Sequence, residues 1–161
     1  MCIRDSGWRV CDWDFWVRAP DYIGDRPTPL SHQTEVKAYG PQLNKYGGQR
    51  ECGFSITLNA GYWALSELAP SVMGFLGCDM NYTPTSDGAT SIYGVGHDIK
   101  QNGIPDPDRM AKMYGEGDPN YLTSIYRRLE SVASEYQCDV VNFSTDPDTR
   151  LPYKRVKPSR Y

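Results

Sequence analysis

The most regular hydrophobic pattern in the chain lies in residues 118–136. There Tyr121, Leu122, Ile125, Tyr126, Leu129, Val132, Ala133 and Tyr136 recur at spacings of three and four. That period predicts an amphipathic helix, and Asp118-Pro119 supplies the cap and first-turn signal that opens it. Residues 138–144 (Cys-Asp-Val-Val-Asn-Phe-Ser) follow as a short apolar run ending in polar residues, which predicts a buried strand. A second helix–strand pair stands upstream. Residues 55–68 have helix length and stop before Pro70. Their apolar positions, with Phe54, Leu58, Trp63, Leu65 and Leu68 beside small Ala60, Gly61 and Ala64, cover more than one face. A helix apolar on most sides is buried, here against a sheet that Gly61 would let approach closely. Residues 72–77 (Val-Met-Gly-Phe-Leu-Gly) then form an uninterrupted apolar run, the pattern of a parallel strand buried on both faces.

The remaining segments carry weaker patterns. Residues 8–17, with Trp8, Val10, Trp13, Phe15, Trp16 and Val17, suggest one short strand. Residues 19–48 hold prolines 20, 27, 29 and 41 and glycines 24, 40, 47 and 48, which reads as a long loop with short turns. Residues 83–106 are also loop-rich, and Asp106-Pro107 opens a short helix to about Tyr114. From Thr145 onward the chain is basic, proline-containing and expected to be irregular. Each of the two best strands is preceded by a helix, so right-handed crossovers would set them parallel in one sheet. The expected class is α/β, a Rossmann-like, mostly parallel sheet with flanking helices. The expected organisation is one partial domain over residues 7–152 and a basic tail over 153–161.

Composition narrows the function classes. A length of 161 residues suits one ordinary domain with a single core. A net charge of −3 gives no reason to expect nucleic acid as the partner. The sequence contains no apolar run long enough to span a bilayer. The cysteines at 2, 11, 52, 78 and 138 are odd in number and form no C-x-x-C pair. That favours free thiols in a reducing, cytoplasmic compartment, and with two histidines it argues against a structural zinc. Residues 1–6 (Met-Cys-Ile-Arg-Asp-Ser) resemble a translated transposase adapter from sequencing libraries. They lack the features of a signal or transit peptide. They are set aside as an artefact, and the expectation is of an N-terminally truncated fragment.

Candidate chemistry follows from the strand ends, because open α/β sheets bind ligands beyond the carboxyl ends of their strands. That rule selects Cys78, Asp79, Met80, Asn81 and Tyr82 after the first strand, and Asn142, Phe143 and Ser144 after the second. Asp79 is placed to grip ribose or substrate hydroxyls; the alternative is that it caps a turn through its own loop amides. His97 lies in the glycine-bearing segment Tyr93-Gly94-Val95-Gly96-His97-Asp98, where Tyr93 or Asp98 can orient it as a general base. The alternative is an exposed loop histidine. Cys52-Gly53 precedes a helix, where backbone amides and the dipole suit a phosphate; a plain helix start explains the same residues. Lys154, Arg155 and Lys157 are solvated surface, or reach a phosphate if the tail folds back.

Taken together, Cys52-Gly53, the buried helix, the strand and Gly77-Cys78-Asp79 resemble a region of the sialyltransferase-like glycosyltransferases of the bacterial lipooligosaccharide type. The order continues with Tyr82, the Tyr93–His97 segment, the second helix and the second strand, so the resemblance covers about residues 52–152. Pterin diphosphokinase-like proteins share the helix–strand–Gly-x-Asp arrangement. Cys52 stands where those families usually have Ser or Thr. The resemblance implies glycosyl transfer from a cytidine-type nucleotide sugar to a glycan or other hydroxyl acceptor, with no catalytic metal and no cofactor besides the donor. His97 would take the acceptor's proton, Tyr82 would act beside it, and Cys52, Gly53, Asp79, Asn81, Tyr93 and Ser144 would line the donor and acceptor sites. Two other readings stay open: a magnesium-dependent pterin-type diphosphokinase relative, and a non-catalytic nucleotide- or carbohydrate-binding protein.

Overall fold

The computed structural model describes residues 13–18, 28–37, 41–52, 56–78 and 121–157. Within them the chain is α/β, with helices and parallel strands in two small sheets. It divides into two compact units. The first comprises residues 1–71 with 135–138, and the second residues 72–134 with 139–161.

The first unit begins with β1 (Phe15–Arg18) and β2 (Thr34–Lys37), paired in parallel from Phe15 opposite Thr34 to Arg18 opposite Lys37. Alternation along β1 buries Trp16 and Arg18. Arg18 reaches Glu35 on β2 in an ion pair through Nε and Oε1, so a buried guanidinium meets a carboxylate rather than an apolar wall. Two short helices follow, α1 (Pro41–Asn44) and α2 (Gly48–Glu51). The segment expected to be a long loop thus holds a strand and two helical turns, each only four residues long. Helix α3 (Ile56–Glu67) matches the expected helix to within a residue at each end. It buries Leu58, Asn59, Gly61, Tyr62, Trp63 and Leu65, a broad arc, as its composition predicts. Its described partners lie in the first unit: α3 packs on α1, the Trp63 ring meets that of Phe15 of β1 at a tilt with centroids 5.1 Å apart, and the Tyr62 and Tyr46 ring centroids lie 4.9 Å apart. Ala69, at φ 45°, closes the helix in the left-handed conformation ahead of Pro70.

The second unit is a three-stranded sheet in the order β3–β4–β5, parallel throughout. Strand β3 (Val72–Phe75) pairs with β4 (Asp139–Asn142) from Val72 opposite Asp139 to Phe75 opposite Asn142. The expected parallel pairing of these two strands is therefore present. The connection between them carries α4 (Tyr121–Glu135), whose buried residues Ile125, Tyr126, Leu129 and Ala133 keep the helical spacing. One face of the sheet supplies Met73, Phe75, Val140 and Asn142 to the core. Phe75, Tyr126 and Tyr153 close into a three-ring cluster with centroids 5.2 to 6.4 Å apart, in the range aromatic pairs favour. The Tyr153 hydroxyl donates to the Tyr126 carbonyl at 2.9 Å.

Two expectations are corrected here. The apolar run 72–77 predicts a strand buried on both faces, yet burial alternates along β3, and Val72 and, just after the strand, Leu76 are exposed by more than half. An uninterrupted apolar run does not distinguish one covered face from two. The tail expected to be irregular adds β5 (Lys154–Arg155) to the sheet, anchored by buried Leu151 and Tyr153. The β4–β5 connection is a structured loop rather than a helix, and Val156 N–H donates to the Asn142 carbonyl at 3.0 Å to extend the ladder.

Candidate functional site at the carboxyl edge of the second sheet

Strands β3, β4 and β5 run in one direction, so their carboxyl ends share an edge. At the end of β3 the chain leaves through Gly77, which adopts φ 68°. A side chain there would strain the backbone, so glycine is the residue that fits the exit. Cys78 follows and is buried, its Sγ 3.2 Å from the Tyr126 hydroxyl. The thiol therefore fixes the strand exit to α4, and Asp79 is the next residue in the chain.

At the end of β4 Asn142 is fully buried, and its amide organises the turn that follows. Oδ1 accepts from the Ser144 N–H at 2.7 Å, and Nδ2 donates to Thr149 Oγ1 at 3.5 Å. Ser144 Oγ accepts the Asp146 N–H at 3.0 Å, and Asp146 Oδ1 accepts the Asp148 N–H at 2.8 Å. Thr149 Oγ1 accepts the Leu151 N–H at 3.3 Å. Successive short polar side chains thus take the place of a backbone ladder and order the loop, as Asn, Asp, Ser and Thr do in turns. From the adjoining strand, Arg155 donates through Nη2 to the carbonyls of Ser144, at 3.3 Å, and of Asp146. A guanidinium is thereby fastened beside the end of β4.

The predicted site residues fall as follows. Ser144 lies at this edge, half-buried, with its hydroxyl oxygen in the loop network. Cys52 lies in the first unit, fully buried at the end of α2. Its N–H donates to the Gly48 carbonyl and its thiol points 3.8 Å from the Leu43 carbonyl, which makes it part of that unit's core. Gly53, Asp79, Asn81, Tyr82, Tyr93 and His97 lie outside the described residues. Among the described residues, no group of three His, Cys, Asp or Glu side chains is placed to hold a metal ion. No described helix is long and apolar enough to cross a membrane. Cys52, Cys78 and Cys138 are buried thiols, in no disulfide among the described residues.

Sequence reasoning did not single out Tyr126, Thr149 or the loop-fastening role of Arg155. Tyr126 follows the apolar stripe of α4 and reads as core, which it also is. Arg155 sits in a basic stretch indistinguishable by composition from solvated surface. The signal that would have found it is a third parallel strand, and two residues are too few to show a period. Comparison with protein-family models, with curated proteins and with solved structures finds no match for this chain.

Proposed function

We propose that the chain is part of a Rossmann-like transferase that uses a nucleotide-sugar donor, most similar in its motifs to the sialyltransferase-like glycosyltransferases. The observation that carries this reading is the parallel β3–β4 pair, whose carboxyl ends set Cys78 and the Asn142–Ser144 turn along one edge. In α/β sheets of this kind nucleotides bind at that edge. Gly77 and Cys78 follow β3, with Asp79 next in the sequence, and Ser144 follows β4. On this account Asp79 and Asn81 line the donor site, Tyr82 and Tyr93 border the reacting groups, and His97 removes the acceptor proton. Cys52, buried in the core of the first unit, takes no part in this reading of the edge. The location that goes with this reading is the cytoplasm.

The test is hydrolysis of a cytidine-nucleotide sugar by the protein with His97 intact and with His97→Ala. Loss of a positioned general base lowers the rate by about 10²–10⁴-fold. Hydrolysis undiminished in the variant contradicts the mechanism, and a strict magnesium requirement with ATP as donor would assign the chain to the diphosphokinase class instead.

A further inference from the structure

We propose that Arg155 is an anion-holding residue, the group that would grip a phosphate at the carboxyl edge of the β3–β4–β5 sheet. The proposal rests on the donor-site reading for the origin of that phosphate, and of the three tail cations the sequence left open for a phosphate it selects one.

Four observations carry it. First, the parallel register sets Arg155 opposite Asn142, the last residue of β4, so its backbone already stands at the ligand-binding end of the sheet. Second, the guanidinium is pre-positioned. Nη2 is tied to the Ser144 and Asp146 carbonyls, whereas Nε and Nη1 make no hydrogen bond among the described residues. Arginine presents five N–H donors in a planar fork, so fastening one nitrogen leaves donors to meet phosphate oxygens. Third, the strand that delivers it is firmly seated, through buried Leu151, buried Tyr153 and the Tyr153–Tyr126 hydrogen bond. An anchored cation loses less freedom on binding than one on a loose tail. Fourth, residues 150–157 carry Arg150, Lys154, Arg155 and Lys157 and no acid, in a chain of net charge −3. In the adjoining loop, which carries Asp146 and Asp148, the Asp146 carboxylate accepts the Asp148 amide.

Neighbouring side chains on a strand point to opposite faces. Lys154 pairs with Val141 and Arg155 with Asn142, so the two cations occupy different faces of β5. That difference separates a specific site from a diffuse basic field.

The experiment is calorimetric binding of pyrophosphate to the whole chain, comparing wild type with Arg155→Gln, Arg155→Lys and Lys154→Gln, each variant's fold checked by circular dichroism. Arg155→Gln should weaken binding at least about tenfold, the usual scale of a charge-assisted hydrogen bond. Arg155→Lys should fall between, since lysine keeps the charge but not the fork. Lys154→Gln removes the same charge and should change affinity less than about twofold. Equal losses in Lys154→Gln and Arg155→Gln overturn the proposal, as does wild-type protein that fails to bind pyrophosphate. Should Arg155→Gln not fold, Arg155→Lys decides: affinity equal to wild type overturns the fork. A second arm measures cytidine monophosphate against cytidine. Arg155-dependent pyrophosphate binding without preference for the nucleotide keeps the anion site and rejects the donor reading.

Discussion

At Gly74 the ring of Phe143 occupies the space that a Cβ would need. Gly74 lies in β3 opposite Val141, and Phe143 follows directly after β4, two residues on from Val141, with its ring over the glycine. Gly74→Ala should therefore cost about 1–3 kcal/mol by overpacking. Phe143→Ala in the same chain should remove most of that cost in a double-mutant cycle followed by urea unfolding. Additive losses would mean that the ring and the glycine do not meet. Asn59 presents the opposite case. It is fully buried in α3, and neither atom of its side-chain amide has a hydrogen-bond partner among the described residues. Replacing an unsatisfied buried amide by an apolar group of similar shape removes a desolvation penalty, so Asn59→Leu should raise stability by about 1–3 kcal/mol. A drop in the thermal midpoint would show instead that the amide is partnered.

Between elements, the turn after α1 joins α3 and the residues after α4 through Tyr46, Tyr62 and Tyr136, with the Lys45 ammonium 4.9 Å from the Tyr46 ring centre and 5.4 Å from that of Tyr136. Lys45 is pushed above the usual lysine range, first by the adjoining Tyr46. Burial pushes the Tyr46 hydroxyl up as well, against the opposing influence of Lys45 and Ser66. Both shifts favour the protonated form in the folded state. The stability they supply is complete below about pH 10 and is lost as pH rises through the raised values. Tyr46 supplies most of it, because the Lys45 ammonium is solvent-exposed and screened. Denaturant midpoints should fall above about pH 10, and Tyr46→Phe should flatten that decline; a pH-independent midpoint would contradict the assignment. The same scale shows what sequence pattern can carry. Helices α3 and α4 and strands β3 and β4 were legible because 4 to 15 residues of consistent burial leave a period or an apolar run. Strand β2 was not, since three of the four residues of Thr-Glu-Val-Lys are polar and Glu35 serves an ion pair rather than a core. Helices α1 and α2 hide among prolines and glycines, and β5 consists of Lys-Arg, whose strand character comes from pairing with β4 alone.

For the molecule as a whole, the chain holds two units, each with its own parallel sheet, and the described candidate chemistry belongs to the second. The strand-end rule located that edge from the sequence, and Ser144 with it, because strand direction follows from the order of helix and strand. It could not find the hydrogen-bonded turn of Asn142, Ser144, Asp146 and Thr149, whose members become neighbours only when the loop closes. Nor could it place Arg155 against that turn, a contact across strands of separate sequence origin. The central claim is that this edge receives the phosphate end of a nucleotide donor. Its most direct test is a titration of the isotope-labelled chain with cytidine monophosphate, followed by amide and arginine side-chain NMR. Shifts concentrated at Cys78, Ser144, Asp146 and the Arg155 guanidinium are the expected result. No shift at these groups on saturation, or shifts confined to residues 41–67, would contradict it.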